Sequence, residues 1–375
     1  MSLLYFDHAA TTPVKDEVLQ EMLPYFTNNF GNPSSIYSIG RRSKKAVENA
    51  RTKVAKAIGC QEKEIYFTSC GSESDNLAVK GVAFANKNKG NHIITSKIEH
   101  PAILNTCKNL EENGFEVTYL NVDENGFIDL QELKNSIKPE TILISIMFAN
   151  NEIGTIQPIK EISKIAKDSE IIFHTDCVQA VGNVKIDVNE FGIDLLSMSA
   201  HKFYGPKGIG ALYVRNGIEF TRIQDGGHQE KNKRAGTENV AGIVGLGKAI
   251  EIADNNLENY NSKLLKLRNY FIREITSKYD NVKINGDLKQ RLPGNINISF
   301  PGIDAEELLL KLDNQGICAS AGSACSSGST QPSHVLTAIG LSEEYATGSL
   351  RITLGEENTI DDVKFLINCI EKILG

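Results

Sequence analysis

Two polar residues at the ends of strand-like runs give the first chemical signal in this sequence. Asp176 closes the run 171–176, and Lys202 follows the apolar run 196–200 at the start of a glycine-proline turn. If both runs are strands of one α/β sheet, their carboxyl ends share the edge at which such sheets bind ligands. Pyridoxal phosphate requires a lysine for its aldehyde and a carboxylate for its pyridine nitrogen. The pair favours that cofactor; the alternatives are a solvated lysine and an aspartate that caps a helix or closes a turn.

A segment of small residues offers an anion site near the same edge. Residues 68–74 follow a strand-like run and open a helix, so the N–H groups near Gly71 and Ser72 are available to a phosphate. A capping box made by Ser72 is the alternative, and it is compatible with the first reading because both use the same donors. Ser199 and His201, which flank the lysine turn, supply further donors for a phosphate.

Three more polar residues follow strand ends. His100 precedes Pro101 where a helix is expected to begin, and it suits stacking on a flat cofactor ring and proton transfer. Its alternative role is a helix cap or a surface residue. Asn151 and Gln179 are candidates for hydrogen bonds to a ring oxygen.

A cysteine and an arginine near the C-terminus complete the candidate set. Cys325 lies in the run 318–330, which consists almost wholly of small residues, and a thiol exposed on such a loop indicates a nucleophile rather than a packing residue. Cys318, at the edge of that run, is interpreted as structural. Arg351 alternates with apolar residues in a strand-like run and is suited to binding a substrate carboxylate, or to a surface salt bridge.

The elements that position these residues alternate between strand and helix. Such alternation predicts a mainly parallel seven-stranded sheet with helices on both faces. The predicted strands are 64–68, 92–97, 115–122, 141–149, 171–176, 195–200 and 209–214, and the predicted helices between them are 73–88, 101–113, 129–137 and 158–168.

A second, smaller α+β domain is predicted after this region. Residues 237–278 read as mostly helix, followed by strands at 295–300 and 349–354 and helices at 304–315 and 359–374. We therefore expect a large α/β domain over 15–255 and a small domain formed by 1–14 and 256–375.

Composition excludes several classes of function. The 375 residues have a formal charge of −7 and contain neither a long basic block nor an 18-residue apolar run. We therefore expect no direct nucleic-acid binding, no membrane span and a cytoplasmic location. The seven cysteines lack the spacing of a metal site and are interpreted as reduced thiols.

With these residues assembled, the chain resembles the cysteine desulfurases of the class V aminotransferase family over nearly its whole length, from about residue 5 to 372. The resemblance implies a pyridoxal-phosphate-dependent fold type I aminotransferase that works as a homodimer. It rests on these motifs: Asp7-His8-Ala9-Ala10-Thr11-Thr12-Pro13, Gly31-Asn32-Pro33-Ser34-Ser35, Glu73-Ser74-Asp75-Asn76, Glu99-His100, Asn150-Asn151-Glu152-Ile153-Gly154, Ser199-Ala200-His201-Lys202, Arg234-Ala235-Gly236-Thr237 and Gly322-Ser323-Ala324-Cys325.

The resemblance also implies a role for each candidate residue. Lys202 would hold the cofactor, Asp176 would pair with its ring nitrogen, and His100 would stack on the ring. The remaining assignments are Asn151 and Gln179 at the ring oxygen, Gly71, Ser72, Ser199 and His201 at the phosphate with Thr237 from the other subunit, Asn32 and Arg351 at the substrate carboxylate, and Cys325 as sulfur acceptor.

The implied activity is conversion of L-cysteine to L-alanine, with the sulfur left on Cys325 as a persulfide. The spacing from Cys325 to residues 332–336 resembles the longer-loop members, which pass sulfur to an acceptor protein such as an iron–sulfur cluster scaffold or a tRNA-thiolation enzyme. Two departures are Cys70, where relatives often have glycine, and the absence of an extended C-terminal tail that some members use for a scaffold. Selenocysteine lyase, or another transferase of this fold, is the alternative activity.

Overall fold

The computed structural model describes residues 3–321 and 332–374. Its strands are β1 (Leu4–Tyr5), β2 (Ile65–Thr68), β3 (His92–Ser96), β4 (Glu116–Leu120), β5 (Thr141–Ser145), β6 (Ile172–Asp176), β7 (Leu195–Ser199), β8 (Gly210–Val214), β9 (Lys283–Ile284), β10 (Asn295–Ser299), β11 (Ile317–Cys318) and β12 (Ser349–Thr353). Its helices are α1 (Asp16–Met22), α2 (Pro24–Thr27), α3 (Ser38–Ile58), α4 (Gly71–Ala85), α5 (Pro101–Glu112), α6 (Leu130–Ser136), α7 (Ile159–Asp168), α8 (Gln229–Asn232), α9 (Val240–Thr276), α10 (Ala305–Asp313), α11 (His334–Ala338), α12 (Glu343–Thr347) and α13 (Ile360–Leu374).

The central sheet confirms the predicted fold class. Its seven strands lie in the order β2-β8-β7-β6-β5-β3-β4. The strand β8 runs in the direction opposite to that of the other six. Every residue of β3, β5, β7 and β8 is buried, as expected for strands covered by helices on both faces. The carboxyl ends of β3, β5, β6 and β7 therefore lie along one edge.

Several predicted strands end earlier in the structure than in the sequence interpretation. The run 141–149 was predicted as one strand, but β5 stops at Ser145. The chain leaves the sheet at this point, and Met147 and Ala149 line a cavity instead of continuing the ladder. Apolar residues that line a cavity just beyond the end of a strand therefore have the same sequence pattern as a longer strand.

A second core lies around two smaller sheets. β10 pairs with β9 and β12 in an antiparallel sheet, and β1 pairs in parallel with β11. The 37-residue helix α9 serves both cores, because Leu246 and Ile250 pack in the large one whereas Leu264 and Phe271 pack in the small one. The domain limits at 255 and 256 stay a prediction.

The first dozen residues join the two parts of the molecule. Leu4 pairs with Ile317, and the backbone N–H of Ala9 donates to Thr353 Oγ1 at 2.8 Å. Three residues later, the Thr12 N–H donates to the carbonyl of His201 at 2.9 Å. We call residues 7–12 the N-terminal strap. Across the helices of the described ranges, none has the length and apolar character needed to cross a bilayer.

Candidate active site

Most of the predicted residues surround one cavity of about 230 Å³ at the carboxyl ends of the central strands. The predicted residues in its lining are Gly71, Ser72, His100, Asn151, Asp176, Gln179, Ser199, His201, Lys202 and Arg351. Sequence reasoning missed Ala9, Ala10, Cys70, Asp75, Met147, Ala149 and Val178, which line it as well.

Lys202 ends a single 3-10 turn that follows β7. Its amine donates to the carbonyl of Ala10 at 2.9 Å and also to that of Ala9, so the N-terminal strap lies directly against it. The turn beyond is held in an unusual conformation, because Tyr204 has φ of 64° and its N–H donates to Thr12 Oγ1 at 2.8 Å. The lysine is half-buried and firmly placed, unlike a solvated surface residue.

Asp176 is the last residue of β6 and is buried. The Val178 N–H donates to its Oδ1 at 2.8 Å, so the carboxylate closes an Asx-type turn, which is one of the two structural roles considered for it, and it does not cap a helix. Burial raises the pKa of Asp176, while the neighbouring His100 and Lys202 side chains and the Val178 N–H oppose that rise. The carboxylate is thus desolvated but faces groups that favour its charged form.

A second buried carboxyl group, Asp75, lies beside the first. Its Oδ1 is 3.8 Å from His174 Nε2 and has no hydrogen-bond partner within the described part of the chain. Burial, and then the charge of Asp176, raise the pKa of Asp75 well above its ordinary value. Two adjacent buried carboxylates do not both ionise readily, so Asp75 is the one that retains its proton.

The N-terminus of α4 lies at the cavity, where the sequence predicts an anion site. The N-cap residue is Cys70, and among the described residues no side chain caps it, so the Ser72 capping box is wrong. A Cβ on Gly71 would lie 2.6 Å from Val178 Cγ2, so this close approach requires glycine. The helix therefore offers N–H donors that a side chain does not occupy. Cys70 itself lines the cavity and is half-buried.

Three other residues that were predicted to contact the ring or the phosphate have a defined protonation state or hydrogen-bond partner. Burial lowers the pKa of His201 to about 4, so its ring is neutral near pH 7. The His100 Nδ1 accepts from the Ala102 N–H at 3.1 Å, so this histidine caps α5 and lines the cavity at once. Gln179 Nε2 donates to the Ala9 carbonyl at 2.9 Å, which ties it to the strap.

Arg351 lies in β12 and is 1% exposed, which excludes the surface salt bridge considered for it. It donates through NH2 to Asp7 Oδ1 at 2.7 Å and through NH1 to the Asn151 carbonyl at 3.3 Å. Its Nε has no hydrogen-bond partner among residues 3–321 and 332–374. The guanidinium thus reaches the cavity with unused donor capacity.

Three predicted residues are not part of the described lining. Asn32 is exposed, and its Oδ1 accepts from the Ser34 N–H at 2.9 Å. Thr237 is exposed too, and it follows Arg234, whose Nε donates to Glu73 Oε1 of α4 at 2.7 Å. Cys325 lies outside the described residues.

Comparison with known proteins agrees with this architecture. The aminotransferase class-V family matches residues 4–366. The cysteine desulfurase IscS of Clostridium botulinum is 58% identical over 373 residues, which is 99% of this chain and 94% of the relative. The corresponding protein of Methanosarcina thermophila is 57% identical over 371 residues, which is 99% of this chain and 92% of the relative.

Solved structures show the same similarity. A NifS-like protein superposes with a TM-score of 0.94 at 39% identity and covers 99% of both chains. The structure of SspA in complex with cysteine has a TM-score of 0.84 at 40% identity and covers 95% of this chain and all of that one. On these matches the chain belongs to the aminotransferase class-V family and, within it, to the cysteine desulfurases.

Proposed function

We propose that this desulfurase uses pyridoxal phosphate at the described cavity to convert L-cysteine to L-alanine, and that Cys325 takes the sulfur as a persulfide. The observation that carries the proposal is the convergence of Lys202, Asp176 and the uncapped N-terminus of α4 on one cavity. A downstream acceptor protein would then receive the sulfur for iron–sulfur cluster assembly, tRNA thiolation or both.

The cavity residues fit this cofactor in three places. The N–H groups at the start of α4, with Ser199 and His201, suit a phosphate. The buried Asp176 suits a protonated ring nitrogen, and the Lys202 amine suits an aldehyde. When bound, pyridoxal phosphate supplies an electron sink for the charge left at the substrate α-carbon after deprotonation.

The substrate side of the cavity contains the groups for binding and proton transfer. Arg351 would bind the substrate carboxylate, because its planar fork matches the two carboxylate oxygens. The Lys202 amine would remove the proton from the substrate α-carbon and return it later. His100 accepts the Ala102 N–H at Nδ1, so its neutral ring carries the proton on Nε2, the nitrogen that can exchange a proton in the cavity.

Sulfur transfer then requires a thiolate. Cys325 would attack the substrate sulfur, which forms a sulfur–sulfur bond and breaks the bond between that sulfur and the β-carbon. The electron pair of the broken bond stays with the carbon, which takes up a proton and leaves as alanine. The enzyme retains the sulfur at the persulfide level.

We also propose a homodimer in which Thr237 reaches the phosphate of the partner. Two ion pairs support this arrangement, since they hold the segment before Thr237 against the large domain: Arg51 with Glu230 at 2.8 Å, and Arg234 with Glu73 at 2.7 Å. Exposed apolar residues accompany Asn32 in sequence, namely Phe26, Phe30, Ile36 and Tyr37, and a partner subunit would cover them.

A cytoplasmic location is part of the same proposal. The six cysteines within residues 3–321 and 332–374 are free thiols, and a persulfide enzyme needs a compartment that keeps thiols reduced.

The deciding experiment incubates wild type and Cys325→Ala with L-cysteine, measures alanine, and searches the 318–330 peptide for one added sulfur by mass spectrometry. We expect alanine in wild type, with the added sulfur on Cys325. Alanine formation without that sulfur, or equal persulfide transfer to acceptors by Cys325→Ala, would contradict the proposal.

A further inference from the structure

Two consecutive residues after the segment that contains Cys325 make polar contacts with residues that adjoin the cavity lining in sequence. Ser333 is the N-cap of α11, where its Oγ accepts from the Val335 N–H at 3.1 Å and donates to Glu152 Oε2. His334 Nε2 lies 3.0 Å from the backbone carbonyl of Glu99, so this nitrogen carries the proton and donates.

Both acceptors are sequence neighbours of proposed ring contacts. Glu99 directly precedes His100, and Glu152 directly follows Asn151. The chain at 333–334 is therefore bonded to the same two turns that bring His100 and Asn151 into the cavity.

Glu152 is held too firmly to be a solvated acid. It is 1% exposed, its N–H donates to Asn150 Oδ1 at 2.8 Å, and its carbonyl accepts from Asn295 Nδ2 at 3.2 Å. Burial raises the pKa of Glu152, while the Ser333 hydroxyl and the neighbouring His334, Arg351 and His100 side chains oppose that rise. Backbone and side chain are thus both fixed, which is what a rigid anchor requires.

Apolar packing already secures α11 without this contact. Val335, Leu336 and Ile339 form a buried cluster with Ile98, Met147 and Ile153. The hydrogen bond to Glu152 is therefore not needed to keep the helix on the protein, and its effect is to set the position of Ser333.

The other end of the same segment is also attached to the cavity. Ser320 forms an antiparallel bridge with Arg351, with backbone hydrogen bonds of 3.1 and 2.6 Å. The chain that carries Cys325 thus leaves from the proposed carboxylate-binding arginine and returns at Ser333, eight positions after the cysteine.

We propose that Glu152 is a positioning residue for sulfur transfer, which acts by fixing Ser333 and thereby the return point of the chain that carries Cys325. This inference rests on the proposed function, because it assumes that Cys325 receives the substrate sulfur. It separates two half-reactions: binding of L-cysteine depends on the cavity, whereas transfer to Cys325 depends on the Glu152–Ser333 contact as well.

The test follows both half-reactions in the holoenzyme by rapid mixing with L-cysteine. The change in cofactor absorbance reports substrate binding, and acid quench with mass spectrometry reports the Cys325 persulfide in a single turnover. The variants are Glu152→Ala, which removes the acceptor, Ser333→Ala, their double mutant and Ser333→Thr, which keeps the hydroxyl. Asp304→Ala is the matched control, since it removes an exposed helix cap of α10 that accepts from the N–H groups of Glu306 and Glu307.

We expect Glu152→Ala and Ser333→Ala each to slow persulfide formation about tenfold, with the absorbance change altered by less than about twofold, because a misplaced reacting group slows the chemical step. The double mutant should be no slower than the slower single one, since both remove one contact. Ser333→Thr should recover most of the rate, and Asp304→Ala should match wild type.

Other outcomes overturn the inference. Unchanged persulfide formation in Glu152→Ala and Ser333→Ala would show that the contact has no positioning role, and an equal loss in both half-reactions would assign it to the cavity as a whole. If Glu152→Ala does not fold, the contrast between Ser333→Ala and Ser333→Thr decides alone. Wild type without a Cys325 persulfide would overturn the proposed function as well, whereas a normal wild type leaves that function standing.

Discussion

The two sides of the cavity are built in different ways. Asp176, Ser199 and Lys202 come from the ends of β6 and β7, two adjacent strands packed in the large core. On the opposite side, Arg351 meets Asp7 across 344 positions of sequence, and Ser333 meets Glu152 across 181. The groups of the first side come from neighbouring ends of one strand ladder, whereas the side chains of the second side are oriented by polar contacts between segments that are distant in sequence.

Because of this difference, mutations on the two sides of the cavity should affect different properties of the enzyme. A sheet edge places its side chains as long as the core is intact, so changes there should act on the chemistry of the bound cofactor. A side chain that is oriented by a single polar contact can shift when that contact is lost, so mutations on the polar side should act on substrate binding and positioning. The following predictions test that division.

The largest effect is expected for Lys202→Ala on the sheet side. Loss of the amine removes both the attachment of the cofactor aldehyde and the base for the substrate α-carbon, so alanine formation should fall about 10³-fold or more. Spectroscopy should show no Schiff-base absorbance in the purified variant. Lys207→Ala, an exposed lysine in the same turn, is the control and should keep both properties.

Asp176→Asn should lower kcat by about 10²-fold, because a neutral amide does not stabilise a protonated ring nitrogen. Asp75→Asn is the matched change and should cost less than about tenfold, since Asp75 is already neutral and the amide resembles a protonated carboxyl. Steady-state kinetics on both variants makes the comparison. Equal losses would contradict the assignment of the charge to Asp176.

On the polar side, Asp7→Asn should raise KM for L-cysteine about tenfold with little change in kcat, because it removes a charged hydrogen bond that orients Arg351. The cofactor absorbance should stay unchanged. A fall in kcat at constant KM would show that Asp7 acts on the chemistry, and the division between the two sides would fail.

The smallest effect concerns stability and Glu99, which is buried and accepts from Ser96 Oγ at 2.6 Å and the Met147 N–H at 3.0 Å. Burial raises the pKa of Glu99 to about 8. A raised carboxyl pKa means that the folded state keeps a proton that the unfolded state has lost, so stability falls as pH rises between the ordinary glutamate value and about 8.

Glu99→Gln should remove this loss. The free energy of unfolding of wild type should fall relative to the variant by about 1 kcal/mol per pH unit near neutrality, since one proton is involved. Urea denaturation at a series of pH values measures both slopes. Parallel slopes would show that Glu99 is already ionised in the folded state.

Much of the sheet side could be predicted from the sequence. Strand-like runs that end in Asp176 and Lys202 carry a local signal, and the alternation of elements places both at one edge. Our sequence interpretation does not include α3, although its buried Val47, Val54 and Ile58 have helical spacing and Gly59 ends it in the left-handed conformation.

The polar side could not be predicted in the same way. The N-terminal strap has no periodicity, and its partners are distant positions such as Thr353 and His201. Asp75 and Glu152 resemble surface acids of a helix and a turn, and their burial appears only in the folded chain. The resemblance to family motifs identified the segments that contain Asp75 and Glu152, but it did not predict any contact of these two side chains.

The strap also has a consequence for biosynthesis. Its hydrogen bond from the Ala9 N–H to Thr353 Oγ1 joins residues 344 positions apart, so it forms only after the ribosome has made Thr353. The large sheet has all its strands once Val214 has been made, well before that partner exists. A nascent chain can therefore carry Lys202 at the completed sheet edge while the strap still lacks its anchor at Thr353, so this anchor forms later than the sheet edge beside it.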